Sequence, residues 1–271
     1  MFSGATSGPC RGMSLLVLGA LSAVLAMSPQ PAHAAPKLRF QIDVKGDILL
    51  VGNTLGQECR TMDSKGTAIP RPVVGNLGAC GDPLTINDSA PDVLWQSDAS
   101  GANTAQADTN IMIDQGSSTS MVQLPTGARV VYARLYWGGN LPEDVTLASS
   151  QISFSRPGTG GFSKMLTPEA QKGEVATALG GGGGHVYQST ADVTAIVQQY
   201  GAGAYRVGNV VRRHVINRDE DVQYNAWSMV LIYRLDSEPV RNITVFDGLD
   251  GVDTGQSVNL SISGFNAPVG Q

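Results

Sequence analysis

The sequence predicts an all-β protein: a β-sandwich with jelly-roll character, one short helix, and an N-terminal hairpin and loop region closed by a disulfide. Three observations point to this fold class. The 271 residues include 33 glycines and 14 prolines, which implies many turns. Only 15% of the residues are charged, which disfavours long salt-bridged helices. Apolar segments with strand periodicity recur about every 10 to 15 residues, as they do in sandwiches.

The N-terminus has the pattern of a secretory leader. Arg11 precedes an apolar stretch over Met13–Met27, and Ala32-His33-Ala34 matches a small-x-small cleavage site. The apolar stretch is shorter than the roughly 20 residues that a membrane-spanning helix needs. We therefore expect a signal peptide over residues 1–34, a mature chain without a transmembrane segment, and a location in the cell envelope or outside the cell.

The charge balance bears on the class of partner. The chain has a formal net charge of −5. Nucleic-acid phosphates favour strongly basic faces, so this composition argues against a nucleic-acid partner. A cell-surface protein or a glycan is the expected partner.

The region 35–110 begins with the pattern of a β-hairpin. Leu38, Phe40, Ile42 and Val44 alternate with polar residues. A turn signal at Lys45-Gly46-Asp47 follows, and then a second apolar run. We expect two strands joined at this turn.

The rest of this region is a long segment rich in Gly, Pro, Asp and Ser, with little periodicity. Such a segment is unusual in a compact domain unless something pins it. Cys59 and Cys80 are the only cysteines after the leader, and disulfides persist in exported proteins. We expect a Cys59–Cys80 disulfide, worth about 3 kcal/mol by restricting the unfolded chain. A metal site at this pair is less well supported, because no CxxC or paired histidine completes it.

The region 111–271 is expected to form the sandwich, either by itself or as one continuous domain with 35–110. Its clearest strand is "ARVVYARLYWGGN", which alternates two sets of side chains. One face is predicted to carry Val130, Tyr132, Arg134 and Tyr136, and the other Val131, Ala133, Leu135 and Trp137.

The one helix is predicted in "STADVTAIVQQYGAG". Ser189 or Thr190 is the expected N-cap, and Gly201 is the expected stop. The apolar face of this short helix would consist of Val193, Ile196, Val197 and Tyr200.

The segment 226–250, "AWSMVLIYRLDSEPVRNITVFDGLD", has the pattern of a central hairpin. Its first run is apolar on both faces, as in a central strand, and Asp236–Pro239 supplies the turn. After a further strand pattern the chain ends without a polar tail, so we expect a sandwich truncated at its C-terminus, with downstream domains of a longer parent protein.

Acidic residues cluster in connections near two strand ends. Asn217, Asp219 and Asp221 alternate as at the start of a calcium loop, but the glycine and glutamate that complete such a loop are missing. These acids either hold a calcium ion, the only predicted cofactor, or cap turns in solvent. The candidate calcium ligands are Asn217, Asp219, Asp221, Asp247, Asp250 and Asp253.

Aromatic residues suggest an alternative function as a carbohydrate-binding module with this calcium site. Tyr136, Trp137, Tyr224 and Trp227 are the candidates for a sugar platform. The two tryptophans lie in apolar strands, however, so core packing is the favoured interpretation for them.

Catalytic motifs are lacking. The sequence contains no GxSxG, HExxH or phosphate-loop pattern, so we expect no enzyme. A secreted hydrolase is a remote alternative that would have to use His185 or His214. His185 follows five glycines, Gly180–Gly184, and is expected to be a solvated loop residue.

Several stretches together resemble one family, in this order: "GDILLVGNTLGQEC", "VVGNLGACG", "DSAPDVLWQSD", "ARLYWGGN", "ADVTAIVQQYGAGAYRVGNV" and "AWSMVLIYRLDSEPVRNITVFDGLD". They are similar to exported myxobacterial proteins of the adventurous gliding motility family. The latter half also resembles the N-terminal sandwich of large, adhesin-like bacterial surface proteins. The likeness covers nearly all of 38–265 and implies a β-rich scaffold in the cell envelope or outside the cell, with no catalytic residues to carry over. Together with the leader, the strand pattern and the lack of catalytic motifs, it leads us to expect a non-enzymatic surface module in surface adhesion or gliding motility.

Overall fold

The structure is a computed structural model. It describes residues 36–58, 76–77, 92–97, 105–108, 110–112, 115–141, 151–169, 174–177, 185–210, 225–249 and 262–264. The strands are β1 Lys37–Thr54, β2 Gly56–Glu58, β3 Asn76–Leu77, β4 Asp92–Gln96, β5 Gln106–Asp108, β6 Ser117–Val122, β7 Arg129–Leu141, β8 Ile152–Arg156, β9 Phe162–Leu166, β10 Glu174–Thr177, β11 His185–Asp192, β12 Gly203–Gly208, β13 Asn225–Arg234 and β14 Val240–Asp247, and the helix is α1 Thr194–Tyr200.

Three sheets contain these strands, which confirms the all-β sandwich prediction. A six-stranded sheet has the order β10-β11-β7-β13-β1-β14, and a four-stranded sheet has the order β6-β12-β8-β9. A smaller four-stranded sheet has the order β2-β4-β5-β3 and its own cluster around Trp95. No helix among the described residues is long and apolar enough to cross a membrane.

The main core lies between the first two sheets. Leu135, Trp137 and Met229 of the six-stranded sheet share one cluster with Phe154 and Tyr205 of the four-stranded sheet. We call this side of the six-stranded sheet the inner face and the opposite side the outer face. Aromatic packing between the strands, such as the stacked rings of Phe154 and Tyr205, fills the space between the sheets.

The predicted N-terminal hairpin is wrong. Lys37–Thr54 is one continuous strand, and its two halves have different partners. Residues 46–54 pair with β13, and residues 37–45 pair with β14. The long-range pairing supplies partners for the whole length of the strand, so the Lys45-Gly46-Asp47 signal marks a change of partner.

The predicted central hairpin is also corrected. Both strands exist, but β13 and β14 pair with β1 rather than with each other. The change of partner is built around Gly46, where an added Cβ would come within 1.8 Å of the Tyr233 carbonyl oxygen. The Leu235 amide donates to the Lys45 carbonyl oxygen at 2.8 Å. The Arg241 Nη1 donates to the Gly46 carbonyl oxygen. We call residues 37–45 with β14 the ribbon.

The β7 strand is confirmed, but the predicted faces change at its start. The pairing of β7 with β13 skips Val131, because Ile232 pairs with Tyr132 and Tyr233 with Val130. This bulge places Val130 in the main core and Val131 on the outer face. From Tyr132 onward the alternation follows the prediction.

The helix is confirmed, and Gly201 ends it with a positive φ of 63°. Its N-cap is Val193, while the predicted caps Ser189 and Thr190 belong to β11. Strand pairing with β7 uses those two residues, so the helix starts later. Arg156 donates to the carbonyl oxygens of Tyr200 and Ala202 at 2.5 and 2.7 Å. These bonds satisfy carbonyl oxygens at the C-terminal end of the helix, where the helix itself supplies no N–H donor.

Candidate functional site

The ribbon, which is the edge of the six-stranded sheet, packs on the outer face of strands β7 and β13. Strand alternation in β7 places Tyr132, Arg134 and Tyr136 on that face. Phe40 of the ribbon stacks on Tyr132, with ring centroids 4.1 Å apart and an interplanar angle of 16°. Val245 of β14 belongs to the same buried cluster. Both faces of the central strands are therefore covered in this region, as the two-faced apolar pattern of β13 predicts.

A charged group holds the end of the ribbon to the sheet. The Arg39 Nε donates to Asp247 Oδ2 at 2.6 Å, and its Nη2 donates to Oδ1 at 2.7 Å. The Tyr136 hydroxyl donates to Asp247 Oδ2 at 3.0 Å. The side chains of Arg39 and Asp247 are only 13% and 11% exposed. We call Arg39, Tyr136 and Asp247 the latch.

A second ion pair lies beside the latch on the outer face. Arg134 donates to both carboxylate oxygens of Glu169, at 3.1 Å from Nη1 and 2.5 Å from Nη2. Glu169 Oε1 also accepts from the Asp192 amide at 3.3 Å, and the Glu169 amide donates to the Thr190 carbonyl oxygen. The segment before β10 is thus tied to β7 and β11.

The latch alters the acidity of its members. Burial opposes the charge of Asp247, but hydrogen bonds from Arg39 and Tyr136 and the positive charge of Arg39 outweigh it and lower its pKa. The hydrogen bond to Asp247 in turn raises the pKa of Arg39. A carboxylate with a lowered pKa is a weak base, so this geometry favours a fixed ion pair over proton transfer.

The two tyrosines remain neutral phenols at physiological pH. Burial, reinforced by the charge of Asp247, raises the pKa of Tyr136 far above its usual range. Burial also raises the pKa of Tyr132 to about 12. A neutral phenol can donate a hydrogen bond but is a poor nucleophile. The chemistry of the latch is therefore that of a structural cross-link.

Of the six predicted calcium ligands, the structure describes Asp247 alone. Both of its oxygens face the Arg39 guanidinium. The other five, Asn217, Asp219, Asp221, Asp250 and Asp253, lie outside the described residues, so the calcium site stays a prediction. Within the described residues, no group of three or more acids, histidines or cysteines is arranged to hold a metal ion.

The predicted core role of the two tryptophans is confirmed. Trp137 is 1% exposed and Trp227 is 3% exposed, and both belong to the main core. Tyr136 is buried in the latch, and Tyr224 lies outside the described residues. Because Tyr136, Trp137 and Trp227 are buried, they do not form a sugar-binding platform on the surface.

His185 begins strand β11, where its backbone pairs with Leu141, so it is not the loop residue expected. His214, Cys59, Cys80 and Gly180–Gly184 lie outside the described residues. The hydrolase alternative and the disulfide therefore stay predictions.

The sequence reasoning missed Arg39, Arg134 and Glu169. One signal was available: Arg134 lies between two tyrosines on one face of a strand with apolar neighbours on the other. A charge in such a strand is rarely buried without a partner. The partner itself could not be named, because Glu169 is 35 residues away along the chain.

Comparison of the chain with protein-family models, with curated proteins and with solved structures gives no match.

Proposed function

We propose that the chain is an exported, non-enzymatic β-sandwich module of the cell surface or extracellular space that serves as a scaffold in surface adhesion or gliding motility. The scaffold role rests on the latch, because its charged groups bind one another and lock the ribbon to the sheet. Export rests on the leader pattern of residues 1–34. The adhesion or motility role rests on the family resemblance described above.

The chemistry of the outer face supports a scaffold over a catalyst. A general base needs a pKa near the working pH, and a nucleophile needs an activating partner. Asp247 has a lowered pKa, whereas Tyr136 and Tyr132 have raised ones. These shifts move all three groups away from reactivity and toward fixed hydrogen bonding.

Localisation tests the first part of the proposal. The full chain and a variant that lacks residues 1–34 are expressed with the same C-terminal tag in the source cells. We expect the full chain in the envelope or medium, cleaved near Ala35 and accessible to added protease on intact cells. The shortened variant should stay in the cytoplasm. Retention of the full chain in the cytoplasm would overturn the proposal.

Deletion of the gene tests the second part. We expect the deletion strain to attach to surfaces or to glide less well than the parent, with recovery when the full chain is restored. Restoration with an Asp247→Asn variant, which keeps the surface but loses the latch charge, should give less recovery when the temperature is raised. Unchanged attachment and gliding in the deletion strain would contradict the adhesion or motility role.

A further inference from the structure

At one end of the inner face, three polar side-chain atoms are buried without a hydrogen-bond partner among the residues that the structure describes. They are the Trp137 Nε1, the Ser189 Oγ and the Asn225 Oδ1. The three residues are at most 3% exposed. A buried polar atom that stays unpaired destabilises the fold.

Strand pairing brings these three residues together. Ser189 of β11, Trp137 of β7 and Trp227 of β13 form one cross-strand row. The next row on the same face consists of Tyr187, Gly139 and Asn225, from the same three strands. The orphaned atoms therefore come from neighbouring positions on three adjacent strands.

Gly139 lies between them in the sheet. It is buried and stands at the middle of the second row, where it contributes no side chain. Asn225 lies directly opposite Gly139. The Cα atom of Trp137, two residues back along β7, is about 7 Å from that of Gly139. Ser189 is a diagonal neighbour of Gly139 on the adjacent strand, at about 7–8 Å. The three unpartnered atoms therefore belong to side chains that start from positions around Gly139.

We infer that this position binds one ordered water molecule. The guest must accept a hydrogen bond from the Trp137 Nε1–H and donate one to the side-chain Oδ1 of Asn225. A metal ion cannot accept from the indole, and a simple anion cannot donate to the amide oxygen. Water does both and bonds to the Ser189 hydroxyl as well, which makes the three contacts typical of buried water. The water links β11, β7 and β13 at the end of the sandwich.

Indole N–H to water cross-relaxation in the ¹⁵N-labelled full chain tests this site. We expect a cross-peak between the Trp137 Nε1–H and a long-lived water, assigned with a Trp137→Phe variant. Trp227 is the internal control, because its Nε1 donates to the Ser118 Oγ at 2.9 Å. It should show no such cross-peak. Absence of the Trp137 cross-peak in the wild type would overturn the inference.

Two variants separate bound water from a direct contact. Gly139→Ala adds a methyl group between these residues and should remove the Trp137 cross-peak while the Trp227 signal stays unchanged. If this variant does not fold, Ser189→Ala keeps Gly139 but removes one of the three contacts, and it should weaken the cross-peak. An undiminished cross-peak in a folded variant, or a crystal structure in which Trp137 Nε1 donates directly to Ser189 or Asn225, would contradict the site.

Discussion

Arg39 and Asp247 are 208 residues apart in the chain, and they meet in a two-point ion pair with N–O distances of 2.6 and 2.7 Å. The pair joins the start of β1 to the end of β14. Through Tyr136 it also joins both strands to β7. One carboxylate therefore holds the far end of the ribbon to the outer face of the sheet.

Removal of the Asp247 charge should destabilise the fold. Asp247→Asn leaves the Arg39 charge poorly compensated in a largely buried position. We expect the free energy of unfolding to fall by on the order of 3 kcal/mol, near the lower end of the range for broken buried ion pairs. Asp236→Asn is the matched control, because its pair with Arg234 is 61% and 79% exposed. That control should change the unfolding free energy by about 0.5 kcal/mol or less in urea denaturation. Equal losses in the two variants would contradict the latch.

Acid should weaken the latch. The pKa of Asp247 is lowered from its ordinary value of 3.8 in the folded protein. A lowered folded pKa gives stability that is present above the unfolded pKa and is lost as pH falls through the folded pKa. We expect the unfolding free energy of the wild type to decline below about pH 4. The Asp247→Asn variant should lose less over the same interval, and parallel curves for the two proteins would contradict the predicted linkage.

The two outer-face tyrosines should respond differently to loss of their hydroxyls. Tyr136→Phe removes a hydrogen bond to a carboxylate, so we expect a loss of about 1.5–3 kcal/mol in unfolding free energy. The Tyr132 hydroxyl has no hydrogen-bond partner among the described residues. Tyr132→Phe should therefore be neutral or slightly stabilising while it keeps the ring that stacks on Phe40. Thermal unfolding of both variants checks the order, and a larger loss at Tyr132 would refute it.

Gly46 should not tolerate a side chain. The Cβ of an alanine would lie 1.8 Å from the Tyr233 carbonyl oxygen, so the backbone at the change of partner would have to move. We expect Gly46→Ala to lower the free energy of unfolding by several kcal/mol. This is more than the usual 1–3 kcal/mol for overpacking, because the added Cβ clashes with backbone atoms. Gly160→Ala is the control: Gly160 has a φ of 75° and open space around it, so strain of about 1 kcal/mol is expected. Similar melting temperatures for the two variants would contradict this account of the corner.

In an alkaline titration, the Tyr132 hydroxyl should ionise at a higher pH than an ordinary tyrosine. Its folded pKa is raised to about 12 from an ordinary value of 10.0. A raised folded pKa gives stability that is fully present below the unfolded pKa and is lost as pH rises through the folded pKa, here between about pH 10 and 12. Subtraction of the tyrosinate absorbance of Tyr132→Phe from that of the wild type isolates this group. A midpoint near pH 10 while circular dichroism still reports a folded protein would argue against its burial.

Local patterns predicted several elements correctly. The alternation from Tyr132 to Trp137 and the helix before Gly201 follow from side-chain periodicity and from the freedom of glycine at a helix end. The burial of Trp137 and Trp227 follows from their place in apolar strands. These features depend on neighbours within a few residues, so one stretch of sequence contains the necessary information.

Long-range pairing decided the features that the patterns missed. Lys45-Gly46-Asp47 has a turn composition, but β13 and β14 supply partners on both sides of it and keep β1 extended. The bulge at Val131 depends on the register between β7 and β13. Such choices are set by strands that lie far apart in sequence, and local composition does not specify them.

By itself, the sequence determined the β-sheet character, the one short helix and the apolar faces of the central strands, because these follow from periodicity, glycine content and local conformational preference. Only the tertiary structure decided that Arg39, Tyr136 and Asp247 form the latch and that Trp137, Ser189 and Asn225 occupy neighbouring positions on three adjacent strands. Both groups are assembled by strand register across long chain separations, and a side chain's partner in a sheet is fixed by that register rather than by its neighbours in sequence.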